Sequence, residues 1–290
     1  MKMFNVKEWN SQNAENPIGW LTFCTVRSRR IDRTAYVSTF NSMFGYEPEV
    51  DSDIMAFAEA VRDVCKDNGV FEEKVGEENG KHSFRIMRKK ILKEEKKPKY
   101  ATGFLVEWDD KIKNISFDDE THKLVSLIRE RVEKYRITVS DHKVRQNYKN
   151  VVHGHGGWDL RDTGGIYFMP NEQDNGEKLI KCEQLFQQFN MGKCDILNFP
   201  NDEPHRAVVY DVVSGSVEVE ADKLEVDLSQ PNKRIAGLET IVEKATDLRD
   251  VMTGYGIVCL RALQAQALVD RLTTIIDKTV DKMELLKAKK

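Results

Sequence analysis

The C-terminal end of the chain is the segment that most constrains the fold. Between residues 233 and 253, Ile235, Leu238, Val242, Ala245, Leu248 and Met252 recur at spacings of three and four, the period of one helix face. "TGYG" interrupts that pattern at Gly254 and Gly256. A second run then carries Leu268, Leu272, Ile276, Val280 and Met283 in line toward Leu286. Two long apolar-striped helices joined by a short break predict an αα-hairpin. Helices of this length need a surface on which to bury their stripe. Packing against each other and the rest of the chain satisfies that need. So does a seam through Leu268, Leu272, Ile276 and Val280 that builds a homo-oligomer.

The chain has 290 residues, 40% of them apolar and 32% charged, enough for one large domain or two modest ones with a polar surface. The formal net charge of −3 gives no general case for a nucleic-acid or membrane binder, both of which usually carry a basic surplus. Five cysteines, Cys24, Cys65, Cys182, Cys194 and Cys259, are scattered and show no C-x-x-C pair. Reduced thiols in a cytoplasmic protein are the expectation. No apolar run is long enough to cross a membrane, and the start "MKMFNVKEWNSQNAENP" has no apolar core of a secretory signal.

Upstream, residues 17–45 read as a β-rich start followed by a helix ending near Gly45. Residues 51–68 read as a helix capped by Asp51 or Asp53 and stopped by Gly69. Residues 82–117 read as an antiparallel meander. Helical patterns return at 119–136, 140–151 and 177–191, and "CDILNFP" at 194–200 reads as a strand. "VEVEADKLEVDL", within 207–228, alternates like a hairpin, although its charges also suit a helix; strands are the expectation here. The fold class is therefore α+β, a mixed antiparallel sheet with helices followed by the long C-terminal helical hairpin arm. The expected division is an α+β target-binding domain over 1–228 and an oligomerisation arm over 229–290.

Chemistry concentrates in "HGHGGWDLRDTGGIYFMP", residues 153–170. On a strand, His153 and His155 would share a face, and with Asp159 or Asp162 they are weak candidates for a divalent metal. No second ligand cluster stands at a recognised spacing, and the surrounding glycines leave such a site loosely held. The structural reading is stronger. Asp162, Thr163, Gly164 and Gly165 form a turn, "IYFMP" is a buried strand, and Trp158 sits on the strand facing it. Trp158, Arg161, Gly164, Gly165, Tyr167 and Phe168 then form a structural hairpin at a packing centre. Neither a P-loop nor a G-x-G-x-x-G is present, nor a G-x-S-x-G nucleophile elbow. No catalytic residue and no cofactor are expected.

Arg27, Arg29, Arg30 and Arg33 form a compact cationic group suited to carboxylate or phosphate partners. They are the candidate partner contacts, against the alternative of a solvated face with local ion pairs. The run "RIMRKKILKEEKKPK", 85–99, reads as a strand with a lysine-blunted edge. Residues 137–152 allow a helix-turn-helix reading, with Lys143, Arg145, Gln146 and Lys149 facing DNA. A nucleic-acid-binding protein of replication or recombination is thus the alternative function. A metal-dependent enzyme using His153 and His155 is the third.

Arg161, Gly164, Gly165, Ile166, Tyr167, Phe168 and Pro170 match an R-x-x-GG-[IV]-YF-x-P signature. In this the chain resembles a family of uncharacterised proteins from phages and their prokaryotic hosts, in which helical C-terminal arms follow the motif. Met169 departs from the usual valine or isoleucine. Size, layout and composition are also similar to phage inhibitors of the Gabija defence complex. That resemblance implies a non-enzymatic host–virus interaction protein in the host cytoplasm. Such a protein would oligomerise through its arms around a nuclease–helicase complex and block DNA binding and cleavage.

Overall fold

A computed structural model describes residues 6–12, 15–78, 80–90, 99–101, 103–161, 165–231 and 233–288. The chain opens with α1 (Val6–Gln12), β1 (Gly19–Val26), β2 (Ile31–Asp32), α2 (Arg33–Phe44) and α3 (Asp53–Asp67). The middle holds β3 (Phe71–Glu78), β4 (Lys81–Lys90), β5 (Lys99–Ala101), β6 (Leu105–Asp109), β7 (Asn114–Phe117) and α4 (Val125–Arg136). Then come β8 (Thr138–Val139), α5 (Asp141–His153), β9 (Trp158–Asp159), β10 (Ile166–Pro170), α6 (Asn175–Gln188) and β11 (Gly192–Phe199). Three long helices close the chain: α7 (Glu203–Ser229), α8 (Ile235–Val258) and α9 (Ala262–Ala288). These elements group into two compact units. One holds residues 1–25, 148–187 and 192–290, and the other 26–147 and 188–191. The segment 229–290 belongs to the same unit as residues 148–187.

In the unit of 26–147, β3, β4, β6 and β7 form an antiparallel meander, with β5 paired to β4. Helices α3 and α4 cover it, because each presents one apolar stripe. Phe57, Ala60, Val61 and Val64 of α3, and Val125, Ile128 and Val132 of α4, meet Phe84, Val106 and Trp108 of the sheet. The cap of α3 is Ser52, whose hydroxyl accepts from the Met55 amide at 3.3 Å, rather than Asp51 or Asp53. Asp51 is drawn instead into a buried ion pair. Helix α4 starts at Val125, later than the expected 119, because the Asp119 carboxylate accepts from the Thr121 amide and holds the preceding segment in a turn. Of the basic run 85–99, residues 91–98 lie outside the described residues, and Ile86 is buried in the sheet core.

In the other unit a four-stranded sheet runs β11-β1-β10-β9. β10 pairs antiparallel with both β1 and β9; Phe168 stands opposite Leu21 on one side and Trp158 on the other. Phe168 is fully buried, with the Phe199 and Tyr255 rings each 6.0 Å away. Within the 153–170 motif, β9 and β10 are therefore paired antiparallel strands beside the core, preceded by the end of α5. Two glycines are required there by space. A Cβ on Gly157 would stand 2.3 Å from a Val152 side-chain carbon, and one on Gly19 2.3 Å from the Met169 carbonyl oxygen. Gly165 is required by conformation, with φ of 85°. Gly164 lies outside the described residues, as do Asp162 and Thr163.

Residues 207–228, expected as strands, are part of the single helix α7. Asp202 caps it by accepting from the His205 amide at 3.0 Å, and Pro204 occupies the first turn. Val209, Val213, Val217, Ala221 and Leu224 are buried on one side of it, against α8 and α9. The expected break at Gly254 and Gly256 is also absent, since α8 continues to Val258. Gly256 serves close approach. A Cβ there would sit 2.8 Å from the Ala265 Cβ and 3.3 Å from the Ala262 Cα, so α8 and α9 cross backbone to backbone. Helices α8 and α9 pack as the expected hairpin, and α7 joins them on a shared core. Among the described residues, no helix is long and apolar enough to cross a membrane.

Candidate functional site

The arginine cluster divides by burial. Arg30 is enclosed: its guanidinium donates to Asp51 at 3.0 Å, to Glu59 at 2.5 Å and to Thr138 at 3.0 Å, and lies 4.0 Å over the Tyr135 ring. Arg33 donates to the backbone carbonyls of Arg136 and Asp51. Both hold secondary-structure elements together. Arg27 and Arg29 are more exposed and donate to the side chain and backbone oxygens of Asn190. The residues proposed to face DNA are likewise engaged: Lys143 pairs with Glu49, Arg145 with Asp141 and Lys149 with Asp159.

His153 and His155 are not on a strand. His153 ends α5, and its Nε2 lies 3.3 Å from Asp159 Oδ2, while its ring stacks parallel to Trp158 at 6.2 Å. The Nδ1 of His155 turns to the Val151 carbonyl at 2.7 Å. The two imidazoles thus serve different partners. Among the described residues no group of three or more His, Cys, Asp or Glu side chains is placed to hold a metal. Burial raises the Asp159 carboxyl, but hydrogen bonds from His153 and Lys149 outweigh it and hold the group below the ordinary aspartate range. Its other oxygen, Oδ1, is buried without a partner among the described residues. Burial pushes the Cys65 thiol up to about 12 and those of Cys194 and Cys259 up to about 11; Cys182 is raised as well. Such thiols are poor nucleophiles at neutral pH.

His153, Trp158 and Asp159 form one wall of an open cleft of about 790 Å³. The facing wall is α7, through Val212, Gly215, Ser216, Val219, Glu220 and Lys223. A Cβ on Gly215 would meet nothing within 4 Å. A helix-interior glycine costs about 1 kcal/mol relative to alanine, and no packing within the chain requires this one.

The proposed oligomer seam is largely consumed inside the bundle. Leu272 is fully buried, Leu268 nearly so, and Ile276 packs at the margin of the same core; Val280 alone is exposed. An exposed apolar patch lies instead at the α8–α9 turn. The Arg261 amide donates to the Gly256 carbonyl and the Leu260 amide to the Ile257 carbonyl, which closes α8 in a Schellman motif. The left-handed position of that motif, where glycine is usual, is held by Leu260 with φ of 56°. Leu260 is 73% exposed and Leu263, three residues on, 91% exposed; Ile257 is exposed beside them. No local pattern marks this knob directly, because "CLRAL" looks like ordinary helix. Its only trace is the lack of glycine at the stop.

No curated protein and no solved structure matches the chain. The profile of a family of unknown function, DUF6744, matches residues 18–274, nearly the whole of both compact units, and the chain belongs to that family.

Proposed function

We propose that this protein is a non-enzymatic binding protein that engages a partner protein through the α8–α9 turn. Leu260 carries the reading. A non-glycine residue in the left-handed region costs about 1–2 kcal/mol, and an exposed leucine forgoes burial worth about 1.5–3 kcal/mol. The fold gains nothing from either choice. Buried in a partner, Leu260 with Ile257 and Leu263 forms an apolar anchor of the kind that dominates protein interfaces. The pairing of Lys143, Arg145 and Lys149 within the chain disfavours the DNA-reading alternative.

The finer reading names the partner: a bacterial antiviral nuclease–helicase complex of the Gabija kind, inhibited by a phage-encoded homo-oligomer in the host cytoplasm. Its support is the similarity of size and layout and the knob itself. A titration of the purified protein into a DNA-cleavage assay of that complex tests it. Stoichiometric loss of cleavage is expected, and Leu260→Gly should weaken inhibition at least tenfold, a change of about 1.4 kcal/mol. The same substitution should stabilise the free protein by about 1 kcal/mol in urea, since glycine suits the turn. Full cleavage at molar excess of the protein removes the Gabija reading. Inhibition unchanged in Leu260→Gly removes the knob from the interface.

A further inference from the structure

Helix α7 is apolar on two opposite sides. One side is the buried set from Val209 to Leu224 already described. The other carries Val208, Val212, Gly215, Val219 and Val226, interrupted by Asp222, which pairs with Arg271; the six positions are spaced alternately by four and three, the seam period of a helix that pairs with another helix. Val208, Val219 and Val226 are each more than half exposed. Near the middle of this second stripe sits Gly215, with open space where its Cβ would be. Glycine at that point lets another backbone come close. Along one flank run Asp211, Glu218 and Glu225 at intervals of seven. Glu225 is paired with Arg271, whereas Asp211 and Glu218 have no ion-pair partner among the described residues. Along the other flank the 790 Å³ cleft supplies an aromatic wall, Trp158 stacked on His153.

We infer that this face is a docking groove for a basic amphipathic helix of a partner protein. The helix lies along α7 over 208–226, roughly 27 Å. Its apolar residues fill the cleft between the valines and Trp158. Its backbone crosses at Gly215, and its lysines or arginines meet Asp211 and Glu218. This is the helix-in-groove mode of recognition. A second copy of α7 lying antiparallel is disfavoured as the occupant, because that pairing would bring two acidic flanks against each other. The groove uses other residues than the Leu260 knob, and the inference stands whether or not that knob binds the proposed target.

The test uses two labelled synthetic helical peptides of about 20 residues, one with leucine and lysine faces and one with leucine and glutamate faces. Binding to the full-length protein is followed by fluorescence anisotropy. The lysine peptide is expected to bind, with affinity falling as salt rises, and the glutamate peptide to bind at least about tenfold more weakly. Gly215→Gln, which places a side chain in open space and improves helix propensity, should weaken the lysine peptide by about tenfold or more without lowering Tm. Glu218→Lys should weaken it while leaving the fold unchanged. Equal binding of the two peptides, or wild-type affinity in Gly215→Gln, overturns the proposal. So does sedimentation showing a dimer that Gly215→Gln dissociates, since a second copy would then own the groove.

Discussion

Arg30→Ala is expected to lower stability by about 3–5 kcal/mol, measured as a fall in the urea midpoint of the unit containing residues 26–147. The guanidinium is 11% exposed and its partner Asp51 only 3%. Asp51 also accepts from the amide and hydroxyl of Ser140, at 2.8 and 2.9 Å. Removing Arg30 therefore leaves a buried carboxylate without the guanidinium that neutralises it, and the Tyr135 ring loses the cation stacked at 4.0 Å. A residue that only touched a partner would behave differently. An unchanged midpoint, with partner binding lost, would return Arg30 to the surface role its sequence neighbourhood suggests. Arg27, hydrogen-bonded to the Asn190 side chain at a more exposed position, should cost less than about 1 kcal/mol when replaced.

Leu272→Ala is expected to destabilise the helical bundle by about 2–5 kcal/mol, independently of protein concentration. Leu272 is fully buried among side chains of α7, α8 and α9 of its own chain, so its loss leaves a cavity inside one protomer. Unfolding measured over a hundredfold range of concentration, about two decades, distinguishes this from an oligomer seam. If the deficit disappears at high concentration, Leu272 belongs to an interface between copies. Val280→Ala, at the exposed end of the same stripe, should change the midpoint little.

The elements legible in the sequence are those with a single apolar face. α3, α4, α8 and α9 each bury one stripe, so their helical period survives in the residue order, as does the two-residue alternation of the meander. α7 was illegible for the opposite reason. With valines on two opposite faces, its apolar residues fall at spacings that also fit a strand, and "VEVEADKLEVDL" reads either way. The glycines misled for a related cause. Gly254 and Gly256 look like a helix stop, yet Gly256 permits contact with Ala265 from inside α8, and the stop falls on a leucine. Charge in the sequence does not reveal burial, so four neighbouring arginines looked equivalent although Arg30 is enclosed and Arg27 is not. The candidate site was the least legible part. Exposure of Leu260, Leu263 and Val219 is a property of packing, and no local pattern records it.

Capture of the tagged protein from a bacterial lysate after nuclease digestion, beside Leu260→Gly and with native mass spectrometry of both eluates, bears most directly on the claim that this is a binding protein anchored at the α8–α9 turn. The account predicts a stoichiometric protein complex with the wild-type chain and its loss with Leu260→Gly, while the variant itself elutes folded. An eluate holding nucleic acid alone before digestion and the bare chain after it, or an identical complex from both proteins, would contradict it.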